Sequence, residues 1–175
     1  MIRRMFTACL LVLIVSLTLA QATPTPAAIT ARSANRVQFA TDLAAEDVVN
    51  DLAFSPDGTL LVTAGQDASV RVWSLADNTQ VTESFEHFSF VKGTAFTENV
   101  LATASWDRSL VTWTLQNVTL TPQATISGLS GVVEHIAISP DGAHMAFGVG
   151  DCTVRIAHTI SGEIQQTLAV GALRV

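Results

Sequence analysis

A hexapeptide that appears twice at a fixed offset constrains this chain more than any other feature. Ala53-Phe54-Ser55-Pro56-Asp57-Gly58 returns as Ala137-Ile138-Ser139-Pro140-Asp141-Gly142, 84 residues on, or two periods of 42. A middle copy should then begin near residue 95. Ala95-Phe96-Thr97-Glu98 stands there, and Asn99-Val100-Leu101-Ala102-Thr103-Ala104 follows it. Allowing a turn two residues shorter, this run aligns with Leu60-Leu61-Val62-Thr63-Ala64 of the first copy. A unit of this size cannot bury its apolar face alone, so successive units must pack on one another.

Each copy divides into short β-type runs separated by turn chemistry. In the first copy they are 48–54, 59–65, 69–73 and 80–85, named a to d in order. Ser55-Pro56-Asp57-Gly58 closes the a–b hairpin, with proline where φ is already near −65° and glycine where φ turns positive. Frequent Val and Thr suit strands. Four antiparallel strands at this period are the signature of a β-propeller blade, and helical solenoids of similar period fail on strand content. The expected fold class is all-β: about three four-stranded blades at about 48–85, 90–126 and 132–168, preceded by a lone strand over Arg36 to Leu43.

These residues resemble the WD-repeat family. Its blades carry a His before strand a, a Ser or Thr in strand b, an Asp in the b–c turn and a Trp in strand c. The middle copy has all four as His87, Thr103, Asp107 and Trp113. The first copy keeps Thr63, Asp67 and Trp73. The third keeps Asp151, with Leu129, Phe147 and Ala157 at the other positions. The resemblance implies a structural hydrogen-bond chain from Asp107 through His87 and Thr103 to the Trp113 indole, each bond netting about 1 kcal/mol. Trp106-Asp107 spells the family's namesake dipeptide by accident. The true strand-c endings are Trp73-Ser74 and Trp113-Thr114, where that Asp is absent. The resemblance covers about residues 35–175.

The opening residues read differently. Arg3 and Arg4 precede an apolar run from Met5 to Leu19 and then Ala20-Gln21-Ala22, a small-x-small cleavage pattern, so residues 1–22 are expected to be a secretory signal peptide. The run is shorter than the roughly 20 residues of a membrane-spanning helix. The arginine pair also resembles the start of a twin-arginine signal, which leaves the export route open. Residues 23–34, with Thr23-Pro24-Thr25-Pro26, read as a Pro-rich linker. Removing the leader leaves seven basic against fifteen acidic side chains, a formal charge of −8, which argues against nucleic acid as a partner. Only Cys152 survives cleavage, so no internal disulfide is expected in the secreted or otherwise extracytoplasmic product.

Three blades and a strand do not close a ring. Val175 falls 84 residues after Val91, where a fourth blade would begin. The expectation is a fragment, a truncated product or a subunit completed by blades of the same or other chains, with outer blade faces exposed and the monomer unstable or sticky alone.

No cofactor, metal site or catalytic centre is expected. His87, Thr103 and Asp107 imitate a hydroxyl–imidazole–carboxylate triad, yet no nucleophile elbow or oxyanion loop accompanies them. His135, His144 and His158 are scattered without metal-ligand spacing. Asp47 and Asp51 read as solvated turn residues. Asn117-Val118-Thr119 fits a glycosylation acceptor. The upper loops, between strands d and a and between b and c, form the family's usual partner surface. Here they hold Gln66, Phe88, Trp106 and Arg108, among them the aromatic and Arg types that favour hot spots. The bland alternative has Trp106 covering a neighbouring loop and Phe88 packing between blades. The expected function is therefore an exported, non-catalytic scaffold binding a protein or peptide. Its rivals are a sensory segment of a longer effector enzyme and a part of an enzymatic propeller.

Overall fold

A computed structural model describes residues 43, 45–98, 100–116 and 118–170. The expected leader and linker, all but one residue of the expected strand over 36–43, and Asn117 of the acceptor pattern lie outside the described residues. The chain divides into two units, and everything below concerns the second, which begins at Ala40.

Twelve strands form three separate four-stranded antiparallel sheets. The first blade comprises β1 (Val49–Phe54), β2 (Leu60–Gly65), β3 (Val70–Ser74) and β4 (Thr79–Ser84). The second comprises β5 (Val91–Phe96), β6 (Leu101–Ser105), β7 (Leu110–Gln116) and β8 (Thr119–Ile126). The third comprises β9 (Val133–Ile138), β10 (His144–Val149), β11 (Thr153–His158) and β12 (Ile164–Ala169). In each sheet the strands pair in chain order. The arrangement is a partial β-propeller, with strand bounds within a residue or so of those read from the repeat.

The a–b hairpins close as their residues require. Gly58 N–H donates to Ser55 O and Gly142 N–H to Ser139 O, with both glycines at φ near 70°. The Ser55 hydroxyl donates to Asp57 Oδ1 at 2.6 Å, and the same carboxylate oxygen accepts from Thr59 N–H. This holds the turn from within.

The blades stack through two apolar layers. Val62, Ala64, Val70 and Val72 of the first blade meet Leu101, Val111 and Trp113 of the second. Ala104, Leu110 and Ile126 on the second blade's other face meet Val133, Met145, Phe147, Val149 and Ala157 of the third. Each fully buried aliphatic side chain contributes about 1.5–3 kcal/mol, so adjacent blades hold one another. Leu52 and Phe54, on the first blade's face turned away from the second, are 53% and 59% exposed.

The innermost strands β1, β5 and β9 lie side by side. Between the first two, Asn50 Nδ2 donates to Val91 O at 2.9 Å and the Thr94 amide donates to Asp51 Oδ2 at 2.8 Å. The solvated-turn reading of Asp51 is thereby corrected, because its carboxylate is half-buried and bridges two blades. Asp47 does stay local, accepting from the Val48 amide. At the next junction Gly93 occupies the register position of Asp51. A Cβ there would stand 2.8 Å from Glu134 O, so this contact is backbone against backbone.

Candidate functional site

The second blade's upper rim is assembled from the loop before β5 and the turn between β6 and β7. His87 is buried in that loop, and its ring spans two elements. Nδ1 lies 3.0 Å from Asp107 Oδ2, and Nε2 lies 2.8 Å from Thr103 Oγ1. The Trp113 indole N–H donates to the same Thr103 oxygen at 2.9 Å. The structure thus brings His87, Thr103, Asp107 and Trp113 into one continuous chain that runs from rim to interblade layer.

Proton counting assigns its polarity. Thr103 has one hydroxyl proton to give, and it goes to Nε2, so Nδ1 carries the ring proton and donates to the carboxylate. The imidazole is neutral. Burial pushes the His87 pKa below its ordinary value despite the opposing pull of Asp107. Burial alone would raise Asp107, but the Ser109 hydroxyl, the Phe88 amide and His87 outweigh it and hold the carboxyl below the usual carboxylate range.

Ser109 belongs to this site and was missed in the residue reading. Its hydroxyl donates to Asp107 Oδ1 at 2.6 Å and its amide to the same oxygen at 2.9 Å. The signal was present: Asp67-Ala68-Ser69, Asp107-Arg108-Ser109 and Asp151-Cys152-Thr153 repeat Asp-x-Ser/Thr in every copy. The middle residue of each triplet has positive φ, 69° at Ala68, 66° at Arg108 and 65° at Cys152. A side chain in this left-handed region costs roughly 1–2 kcal/mol, and the two hydrogen bonds to each Asp stabilise it there.

In the other blades the same carboxylate meets a different partner. Trp73 Nε1 donates to Thr63 Oγ1 at 3.0 Å, so half the chain is present in the first blade. No His stands at the position equivalent to His87. Instead Arg71 reaches back from β3, and its Nη2 lies 2.7 Å from Asp67 Oδ2. In the third blade Arg155 Nη2 lies 3.0 Å from Asp151 Oδ2, and Ser130 donates to the same carboxylate. Ser130 and the neighbouring donors hold Asp151 down at about 2. Val111 occupies the matching position in the blade that has the His.

The four candidate contact residues are placed unequally. Phe88 is 92% exposed, which removes the possibility that it packs between blades. Its amide donates to Asp107 Oδ2 at 2.9 Å, so the projecting ring has a fixed base. Arg108 is exposed on the next residue of that turn. Trp106, 39% exposed, donates through Nε1 to Glu134 Oε1 on β9, while Lys92 Nζ sits 5.3 Å from its ring centroid. It clamps the neighbouring blade and shows one edge to solvent. Gln66 is half-buried at the corresponding turn of the first blade.

The histidine reading needs one correction. His144 and His158 are cross-strand partners with ring centroids 6.3 Å apart, because the β10–β11 hairpin brings together residues far apart in sequence. Among the described residues no group of three His, Cys, Asp or Glu is placed to hold a metal. Cys152 is a free, exposed thiol.

The profile of the family "WD domain, G-beta repeat" matches residues 39–74 and 120–157. Protein HIR1 of Yarrowia lipolytica is 37% identical over 118 residues, which cover 59% of this chain and 11% of that protein. Small ribosomal subunit protein RACK1y of Oryza sativa subsp. japonica is 33% identical over 91 residues, covering 50% and 26%. WD repeat and SOCS box-containing protein 1 of Danio rerio is 35% identical over 78 residues, covering 42% and 18%. The chain therefore spans between about a tenth and a quarter of the length of these relatives. Among solved structures, a chain of the "Crystal Structure of Mitotic Checkpoint Complex" superposes with a TM-score of 0.64 at 21% identity, over 69% of this chain and 38% of that one, a likeness of fold. Repeat period, blade topology, the His87–Thr103–Trp113 chain and these matches all support the WD-repeat family.

Proposed function

We propose that this chain is a non-catalytic protein-interaction scaffold that acts outside the cytoplasm and presents the upper rim of its second blade to a protein or peptide partner. The observation that carries this reading is Phe88, almost wholly exposed, with its backbone tied to the Asp107 carboxylate in the turn that also carries the exposed Arg108. An aromatic ring and a guanidinium on a rigid base bind with little ordering cost, the property of interface hot spots. The buried His87–Asp107 pair supplies that rigidity, because both ring nitrogens are engaged and tie the loop to the turn and to β6. Export rests on the Arg3-Arg4 leader and its apolar run. Completion by further blades of the same or other chains fits the exposed Leu52 and Phe54 on one outer face.

The test is capture with the full chain as bait from the extracytoplasmic fraction of its host. A Phe88→Ala/Arg108→Ala double variant, with unchanged circular dichroism, should lose at least about tenfold of the partner captured by the native chain, as expected for two hot-spot truncations. Equal capture by both would overturn the upper-rim reading. The mass of the exported product should correspond to cleavage after Ala22, and an uncleaved cytoplasmic product would overturn the localisation.

A further inference from the structure

Carboxylates stand on both rims of this fold, but the cations stand on one. The described residues include four Lys and Arg, namely Arg71, Lys92, Arg108 and Arg155, and all sit toward the upper rim. The lower rim, made of the a–b and c–d turns, carries Asp57, Asp77, Glu98, Asp141 and Glu163 and no cation. None of these five carboxylates has a basic partner within ion-pair distance among the described residues.

Into this acidic rim opens a cavity of about 390 Å³ between the first and second blades. Leu60, Phe96, Leu101 and Leu115 form its floor, continuous with the apolar layer between the two blades. Asp57 and Glu98 stand at its wall. A second cavity of about 380 Å³ shares Pro56 and Glu98 with the first and extends to Asp141 on the third blade. The apolar floor is therefore one end of a path lined with carboxylates from three successive a–b turns.

We propose that this lower groove is a second docking site, which takes a basic peptide segment of a partner protein with an aliphatic anchor seated on Leu60, Phe96 and Leu115 and its cationic side chains against Asp57, Glu98 and Asp141. The apolar floor supplies affinity by desolvation, and the carboxylates select the sign of the partner and speed its approach. An acidic segment is repelled from the same rim. The proposal extends the scaffold reading but uses a different surface, so each can fail alone.

Fluorescence anisotropy of the full chain with a labelled heptapeptide alternating arginine and leucine tests it. Replacing the leucines by glycine, or the arginines by glutamate, should each weaken binding by roughly tenfold or more if floor and rim both act. Asp57→Asn/Glu98→Gln should also weaken it by roughly tenfold, whereas the charge-matched Asp77→Asn/Glu163→Gln, on the same rim outside the groove, should change it by less than about twofold. All four substitutions are at turns, and unchanged circular dichroism verifies folding. Equal weakening by the two double variants would reduce the effect to the general field and overturn the proposal. So would undiminished binding of the arginine–glycine peptide, or no binding of the arginine–leucine peptide. Phe88→Ala/Arg108→Ala should leave peptide affinity intact. If it abolishes binding instead, the peptide sits on the upper rim and the lower groove is not its site.

Discussion

In the second blade the b–c turn carboxylate is met by a neutral imidazole, whereas in the first and third it is met by a guanidinium. The geometry differs accordingly. His87 comes from the loop before β5 and ties that loop, the turn and β6 together. Arg71 and Arg155 come from the strand that follows the turn, four residues after the Asp, and reach beyond it only through side chains, Arg71 facing Glu46 at 3.9 Å and Glu83 at 3.3 Å, and Arg155 donating to Ser130 at 3.0 Å. The imidazole solution is also drier: the His87 and Asp107 side chains are 0% and 8% exposed, against 17% and 22% for Arg155 and Asp151. A blade without its His still satisfies its turn, but loses the bond that fastens the upper loop to strand b. That Phe88, the most exposed aromatic side chain among the described residues, lies in the loop so fastened is the structural basis for reading this rim as the contact surface.

The comparison can be broken most severely at Trp113. It is fully buried between the first two blades and donates to Thr103. Trp113→Ala should cost about 3–5 kcal/mol, seen as a large fall in the denaturant midpoint. A loss below about 1 kcal/mol would mean that the second blade is not the anchor of the stack.

His87→Leu, which imports the third blade's residue, should cost about 2–3 kcal/mol, because it strips partners from a buried hydroxyl and carboxylate. Adding Val111→Arg imports the guanidinium as well and should recover part of that loss. If the double variant is less stable than His87→Leu alone, the guanidinium solution is incompatible with a blade covered on both faces.

The smallest effect expected is on pH dependence. The folded-state His87 pKa is depressed, so the unfolded chain takes up a proton first as pH falls through about 6.5. Stability should decline from pH 7 toward pH 5 for this reason, and the decline should be shallower in His87→Leu. Asp107 acts at lower pH. Its folded pKa is also depressed, so its contribution is present above about 4 and is lost as pH falls further through the folded value. Parallel pH profiles for the native chain and His87→Leu would show that the ring is not held neutral by burial.

Much of this was legible along the chain. Strand bounds and the Ser-Pro-Asp-Gly turns follow from local rules, since turn chemistry acts over four or five residues and the repeat period carries it from copy to copy, whereas the membership of the His87 chain was implied by the family resemblance. The Asp-x-Ser/Thr triplets and the Arg at a common offset in two copies were equally visible, but their pairing with the turn carboxylate became apparent only from geometry. The tertiary structure decided which side chains cross between blades: Asp51 to the Thr94 amide, Trp106 to Glu134, and the floor shared by Leu60, Phe96 and Leu115. These partners lie about 28 to 55 residues apart in the chain. No local periodicity sets the angle and height at which one twisted sheet rests on the next; that is settled by how the two apolar faces interlock.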